Sequence, residues 1–240
     1  MKYELDMNNI PEHIGIIMDG NGRFAKRQGL SRSEGHKAGA EKLVEISNYC
    51  TTLGVKYLTV YAFSTENWKR PKEEVKGIMK LLNSYLTDWK KYFGGKHSTM
   101  NVVGDITQLD TGLQSLIKYV AKETKEEVKH TINFAICYGG RAEIINATKT
   151  IAEKVKNGEL EISDINEEMF NDYLYTKGFP DPDLIIRPGG ELRISNFLTW
   201  QSAYSELWFC DALCLNLQLM TLTRPFMTIK TDTDASVVCN

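Results

Sequence analysis

The sequence predicts a single α/β domain, a mostly parallel central β-sheet surrounded by helices. Three observations carry this. Short apolar runs alternate with longer stretches of helical periodicity, the pattern of successive βαβ units. The runs stop at Gly-rich or polar clusters, as buried parallel strands do. No repeat, linker or shift in composition divides residues 1–212, so one domain is expected there, ahead of a tail over 213–240.

Each element has a local cause. Residues 14–18 (IGIIM) form a first strand that opens onto the Gly-rich turn DGNGR. A helix is expected over 33–53, with Gly54 as its stop. Residues 57–63 (YLTVYAF) read as the next strand. Pro71 opens a helix to about residue 93, with acids in its first turn. A strand over 100–103, a helix over 109–128, a strand over 132–138 and a helix over 141–156 follow. A short helix is expected over 167–174 and a short strand over 184–186.

Composition narrows the function. The 240 residues are 42% hydrophobic and 25% charged, ordinary for a globular protein with a full core. The net charge is −2 and no basic block occurs, which argues against a nucleic-acid partner. The first nine residues are polar and acidic, without the apolar stretch of an export leader. No apolar run is long enough to span a bilayer. The five cysteines are odd in number and match no zinc or disulfide spacing, which points to a reduced, cytoplasmic setting.

In a parallel sheet the strand C-termini lie along one edge, where such proteins bind ligands. Asp19, Gly20, Asn21, Gly22 and Arg23 follow the first strand. The glycines let backbone N–H groups approach an anion, and Arg23 adds charge. Asp19 inside such a site suggests a bridging divalent cation, Mg2+ by preference. A plain tight turn suits the same residues. Ser64, Asn67 and Trp68 follow the second strand, and Gly139–Gly140, expected to be a mere turn, the strand over 132–138. Arg187, Arg193 and Ser195 follow the last. Two arginines and a hydroxyl suit a diphosphate, and equally suit surface ion pairs with Glu191 and Asp183. Arg32 and His36 share one helix face near its start. Glu206, beside apolar residues, suits either a metal shell or an ordinary ion pair. Phe63, Trp68, Trp200 and Trp208 are core by default, with some available to line an apolar cavity. Two anionic subsites, a metal carboxylate and apolar walls suit chemistry on diphosphates with hydrocarbon tails.

Taken in order, IIMDGNGRFAKRQG, SRSEGHKAG, YAFSTENWKRP, IRPGGELRISNF and WQSAYSELWF resemble the cis-prenyltransferase family, on its bacterial undecaprenyl diphosphate synthase side. The resemblance spans residues 13–209. It implies a homodimeric enzyme that condenses isopentenyl diphosphate with farnesyl diphosphate, repeatedly and with Mg2+. The product would be a long Z-polyprenyl diphosphate, undecaprenyl diphosphate, the lipid-carrier precursor for bacterial cell-wall synthesis. Location would be cytoplasmic, with peripheral membrane contact for product release.

By motif, the resemblance assigns Asp19 and Asn67 to catalysis, and Asp19 and Glu206 to the metal. Gly20, Asn21, Gly22, Arg23, Arg32 and His36 would hold the allylic diphosphate. Ser64, Asn67 and Arg70 would lie near the reacting centre or on its mobile flap, and Trp68 would contact substrate. Arg187, Arg193 and Ser195 would hold isopentenyl diphosphate. The proton-abstracting base stays open among Asp19, a group positioned by Asn67 and a diphosphate oxygen. Phe24 replaces a usual Trp, and Pro188 a usual Ser or Thr. A non-catalytic partner subunit of the same fold is the alternative. A nucleotide hydrolase is disfavoured because no GxxxxGK[ST] loop occurs.

The resemblance stops after about Leu213, where the family has WPDF or WPEF, a helix and RxRRFG. One set of codons for residues 214–240, with a single G restored in the first, reads WPEFTADDFDKAFYDYQNRHRRFGGV and then a stop. The tail is therefore expected to be a frameshift product, which the encoding DNA tests directly. In the family the lost arginines reach the isopentenyl diphosphate site, so impaired activity is expected. Residues 213–222 alternate apolar residues and carry no charge, an aggregation signature.

Overall fold

The computed structural model describes residues 9–93, 98–122 and 128–216. It holds one six-stranded sheet in the order β3-β4-β2-β1-β5-β6. The strands are β1 (His13–Ile17), β2 (Tyr57–Ser64), β3 (Ser98–Val103), β4 (His130–Tyr138), β5 (Leu184–Pro188) and β6 (Glu206–Cys210). Every neighbouring pair is parallel. Seven α-helices lie among the described residues: α1 (Asn21–Arg27), α2 (Arg32–Leu53), α3 (Lys72–Thr87), α4 (Trp89–Tyr92), α5 (Thr111–Lys122), α6 (Gly140–Lys156) and α7 (Glu167–Asn171). The connections leave β1 and its neighbour β5 toward opposite sides of the sheet, and the C-terminal ends of β1, β5 and β2 carry the site.

Burial follows the pleat. Ile14, Ile16, Leu58, Val60, Ile132 and Ile136 belong to one core cluster. Tyr61, Ala135 and Ile185 join Phe197 and Leu198 in another. All nine residues of β4 are buried, as a central parallel strand requires. The polar His13, Thr59 and Asn133 are buried too and hydrogen-bond to one another, with Asn133 Oδ1 left without a partner. His13 Nδ1 donates to the Pro180 carbonyl at 2.7 Å, its Nε2 accepts from Thr59 Oγ1 at 2.7 Å, and Asn133 Nδ2 donates to that hydroxyl at 3.3 Å.

Helix α2 starts at a capping box in which Ser31 Oγ accepts from Glu34 N–H and the Glu34 carboxylate accepts from Ser31 N–H. It stops at Gly54, which is left-handed. The helix expected from Pro71 to residue 93 breaks at Asp88 into α3 and the short α4. Two elements escape the sequence reading. The residues read as a Gly-rich turn close at once into α1, whose only buried residue is Ala25, so it shows no apolar stripe. Strand β6 is a partly exposed edge whose apolar run, residues 207–210, directly follows the exposed Glu206. The end of the helix expected over 109–128 lies outside the described residues, as do residues 217–240 of the tail.

Candidate active site

Asp19 stands directly beyond β1, and Arg187 is the fourth residue of the neighbouring β5. Their side chains meet: Arg187 Nη2 donates to Asp19 Oδ2 at 3.0 Å. Arg23 Nη2 donates to Asp19 Oδ1 at 3.0 Å, and Gly20 N–H donates to the same oxygen at 2.6 Å. Partial burial pushes the Asp19 carboxyl up, but hydrogen bonds from Arg187 and Arg23, with their charge, hold it below the usual carboxylate range. Asp19 is thus an anion at neutral pH and a weak proton acceptor. Arg23 also donates to the Gly189 carbonyl at 2.6 Å. Gly189 is left-handed at φ 100°, and a Cβ there would come within 2.7 Å of Arg23 Nη2, so this approach requires glycine.

Arg187 is 6% exposed and is held on several sides. It donates to Ser195 Oγ at 2.6 Å and to the Arg193 carbonyl. Its Nε is buried without a hydrogen-bond partner. Ser195, Asn196 and Leu198 all have positive φ, at 50°, 66° and 44°. Such conformations are costly for residues with a Cβ and persist where surrounding contacts fix them. Here Asn196 does the fixing. Its carbonyl accepts from Gly140 N–H at 2.8 Å, its Oδ1 accepts from Arg141 N–H at 2.8 Å, and its Nδ2 donates to Glu66 Oε1 at 3.0 Å. The loop after β5 is thereby tied to the starts of α6 and of the 3-10 turn after β2. Gly139–Gly140 is consequently no mere turn: Gly140 opens α6 against Thr199, leaving no room for a Cβ.

A second cationic group gathers where α2 and α3 meet. Arg32 Nη1 donates to Glu74 Oε2 at 2.7 Å, while Arg70 Nη1 at 3.1 Å and His36 Nε2 at 3.4 Å approach Glu74 Oε1. Burial pushes the His36 imidazole down, an effect the Glu74 hydrogen bond only partly offsets. Asn67 Oδ1 accepts from Ser64 N–H at 3.2 Å, so the amide is oriented at the end of β2.

One cavity of about 1190 Å³ joins these groups. Its polar lining includes Asp19, Gly20, Asn21, Gly22, Arg23, Arg32, His36, Ser64, Asn67, Arg70, Arg187, Arg193 and Ser195. Its apolar wall includes Leu43 of α2, Ile78, Leu82 and Tyr85 of α3, and Phe93 and Phe134. An anion-binding mouth with an apolar interior suits an amphiphile whose head is a diphosphate.

Two sequence assignments are corrected. Trp68 is not among the cavity's lining residues; it packs edge-on against Phe63 in the core, centroids 5.0 Å apart. Glu206 does not join Asp19 within the chain. It pairs with Leu184 at the start of β5, whereas Arg187, beside Asp19, pairs with Phe209. Three residues of parallel strand separate the two levels, roughly 10 Å, and Glu206 is exposed rather than half-buried. Of the ion pairs considered for the arginines, Arg193 does pair with Glu191, at 2.5 Å. Arg187 instead takes Asp19, and Asp183 accepts from His13 N–H. The sequence reading missed Glu66, Glu74 and Asn196. Glu74 had one local signal, its i,i+4 spacing from Arg70.

No group of three or more His, Cys, Asp or Glu side chains able to hold a metal occurs among the described residues. Of the three carboxylates lining the cavity, Glu74 is engaged by Arg32 and Arg70 and Glu66 by Asn196, and Asp19 fits Mg2+ held by one protein oxygen together with substrate phosphates and water. It does not fit an ion caged by protein alone.

The prenyltransferase family model described as undecaprenyl diphosphate synthase matches residues 17–229. An isoprenyl transferase of Clostridium tetani is 50% identical over 210 residues, 88% of this chain and 82% of that protein. A farnesyl-diphosphate-specific ditrans,polycis-undecaprenyl-diphosphate synthase of Micrococcus luteus is 46% identical, over 84% of this chain and 81% of that one. A geranylgeranyl-diphosphate-specific tritrans,polycis synthase of Picrophilus torridus is 49% identical, over 87% and 82%. Among solved structures, lavandulyl diphosphate synthase from Lavandula x intermedia, in complex with dimethylallyl diphosphate, superposes with a TM-score of 0.87 at 33% identity, covering 92% of this chain and 96% of that one.

Proposed function

We propose, from the premise that this chain belongs to the cis-prenyltransferase (undecaprenyl diphosphate synthase) family, that it elongates farnesyl diphosphate with isopentenyl diphosphate. The product is a long Z-polyprenyl diphosphate of the undecaprenyl class. The reading rests on one observation above the others. A single cavity is lined both by Arg187 with Ser195 and Arg32 with His36 and Arg70, and by aliphatic and aromatic side chains. Two diphosphates and a growing hydrocarbon are what such a lining accommodates.

The chemistry asks for stabilised negative charge. Breaking the allylic C–O bond leaves a diphosphate anion and an allylic cation, and the isopentenyl double bond attacks that cation. Loss of a proton from C2 restores a double bond, so each cycle lengthens the chain by one unit and releases diphosphate. Mg2+, when bound, supplies Lewis-acid stabilisation of the diphosphate oxygens. Arg32 and Arg70 supply charge to the allylic diphosphate, with His36 as a hydrogen-bonding partner, and Arg187 orients isopentenyl diphosphate with Ser195. Asp19 is a carboxylate held by two arginines, which suits a metal ligand better than a base. A diphosphate oxygen is therefore the favoured proton acceptor.

The farnesyl diphosphate assignment follows the motif resemblance to the bacterial enzymes; the relatives include both a farnesyl-diphosphate-specific and a geranylgeranyl-diphosphate-specific synthase. No helix among the described residues is long and apolar enough to cross a membrane. A cytoplasmic homodimer that touches the membrane only to release product, and serves cell-wall synthesis, agrees with this reading. Parallel reactions with radiolabelled isopentenyl diphosphate and each allylic primer test it. Elongation of geranylgeranyl but not farnesyl diphosphate would reverse the primer assignment.

A further inference from the structure

Beyond β6 the chain crosses back over the end of β5 and reaches the turn after β1. Gly190 N–H donates to the Cys210 carbonyl at 2.9 Å, and Gly189 N–H donates to the Ala212 carbonyl at 2.8 Å. Two residues later, Cys214 N–H donates to the Asp19 carbonyl at 3.2 Å. Residues 210–214 therefore join, through backbone groups, the same two turns that Arg23 bridges with its side chain. The 3-10 turn Cys214–Asn216 then packs against α1 and α2.

Leu213, 3% exposed, lies directly on Gly20. A Cβ at Gly20 would stand 2.8 Å from Leu213 Cδ2 and 3.2 Å from its Cβ, and Gly20 is left-handed at φ 93°, so the contact requires glycine. Gly20 caps α1 without a side chain to fix it, so its place is set by what packs on it. Its N–H is one of the donors to Asp19 Oδ1. Pressure from Leu213 on the Gly20 peptide is thus relayed to the carboxylate. Cys214 is fully buried, with Sγ 3.5 Å from Sδ of Met18, the residue before Asp19.

We propose that Leu213 is a positioning residue: with the backbone of residues 212–214 it fixes the Gly20 peptide, and through that peptide the direction of the Asp19 carboxylate that would hold Mg2+. The inference rests on the reading of Asp19 as the metal ligand. Mg2+ demands near-ideal octahedral geometry, so a carboxylate that keeps its charge and loses its direction binds it poorly. The brace uses only Leu213 and backbone groups at 212 and 214. It is therefore indifferent to the side chain at 214, where the frame-restored chain carries Trp in place of Cys.

The test is calorimetric titration of the full chain with inorganic pyrophosphate, with and without Mg2+, which measures the gain in affinity that the metal supplies. In Leu213→Ala that gain should fall about tenfold or more, as it does when groups that orient a metal ligand are lost. Binding of pyrophosphate without metal should stay parental, because the arginines are untouched. Leu213→Met, close in volume, should keep most of the gain. Leu113→Ala, at a buried position of α5, controls for lost core packing alone: it should lower the melting temperature and leave the gain unchanged. Amide exchange at Gly20 and Cys214 should be faster in Leu213→Ala than in Leu113→Ala. If Leu213→Ala does not fold, Leu213→Val must still lower the gain severalfold. A parental gain in the folded variant would overturn the proposal, and so would an equal loss in Leu113→Ala or an equal loss of metal-free binding. A gain that survives Asp19→Asn would instead remove the metal-ligand reading, and the inference with it.

Discussion

Replacing Asn196 separates two contributions that the loop after β5 combines. In Asn196→Ala the side-chain hydrogen bonds to Arg141 N–H and to Glu66 are lost, and a Cβ-bearing residue without a local polar partner remains at φ 66°. Two partly exposed hydrogen bonds are worth about 1 kcal/mol each, and a left-handed residue other than Gly or Asn costs a further ~1 kcal/mol. The expected destabilisation is about 2–4 kcal/mol. In Asn196→Gly the same bonds are lost but the backbone is relieved, so the cost falls to about 1–2 kcal/mol. Urea unfolding followed by circular dichroism measures both, with the slopes checked for a common denatured state. The functional readout is isopentenyl diphosphate affinity by calorimetry. Ser195, adjacent to Asn196, accepts from Arg187 Nη1 at 2.6 Å. Asn196→Ala should therefore weaken that affinity while leaving pyrophosphate binding at the Arg32 cluster unchanged. If Asn196→Ala is as stable as Asn196→Gly, the strained backbone is not held by this residue. If both bind isopentenyl diphosphate like the parent, the link from Asn196 to Ser195 and Arg187 is refuted.

Three further outcomes follow from other parts of the fold. Arg187→Lys keeps charge but loses the fork that reaches Asp19, Ser195 and the Arg193 carbonyl together, so kcat/KM for isopentenyl diphosphate should fall about 10²-fold; a near-parental value in an active, frame-restored chain would deny Arg187 its role. His13 and His130 are held neutral by burial, with folded pKa values lowered from 6.5; the stability they contribute is complete above about pH 6.5 and lost as pH falls through the folded values. Glu143, pushed up by burial, acts in the opposite sense at higher pH, so the comparison is the parent against His13→Gln/His130→Gln, whose unfolding free energy should fall less between pH 7 and pH 5; identical pH slopes would refute this. The frame-restored chain should exceed the parent in both soluble yield and turnover, and equal values would show that the altered tail is harmless.

The sheet was legible where a strand is buried on both faces. β1, β2 and β4 announce themselves as apolar runs, and β4 is buried throughout. β6 was not legible as a strand although it carries the apolar run 207–210; the run is short and partly exposed, and a core segment of another kind suits the same residues. Most of the site was legible for a topological reason: residues at the C-terminal ends of parallel strands meet, whatever their separation along the chain. The same reasoning explains the error at Glu206. It opens β6 instead of following a strand, and order along the chain does not reveal that. Glu74 and Asn196 were missed because their partners are remote. Arg32 is 42 positions from Glu74, and Glu66 is 130 from Asn196. Trp68 was assigned by motif, and the core claims it by packing on Phe63.

The central claim is tested most directly by product analysis after incubating the chain, and its frame-restored counterpart, with farnesyl diphosphate, isopentenyl diphosphate and Mg2+. The account predicts a long Z-polyprenyl diphosphate from the restored chain, with less or none from the chain bearing the altered tail. A restored chain that folds, binds both diphosphates and yet forms no new carbon–carbon bond would contradict it.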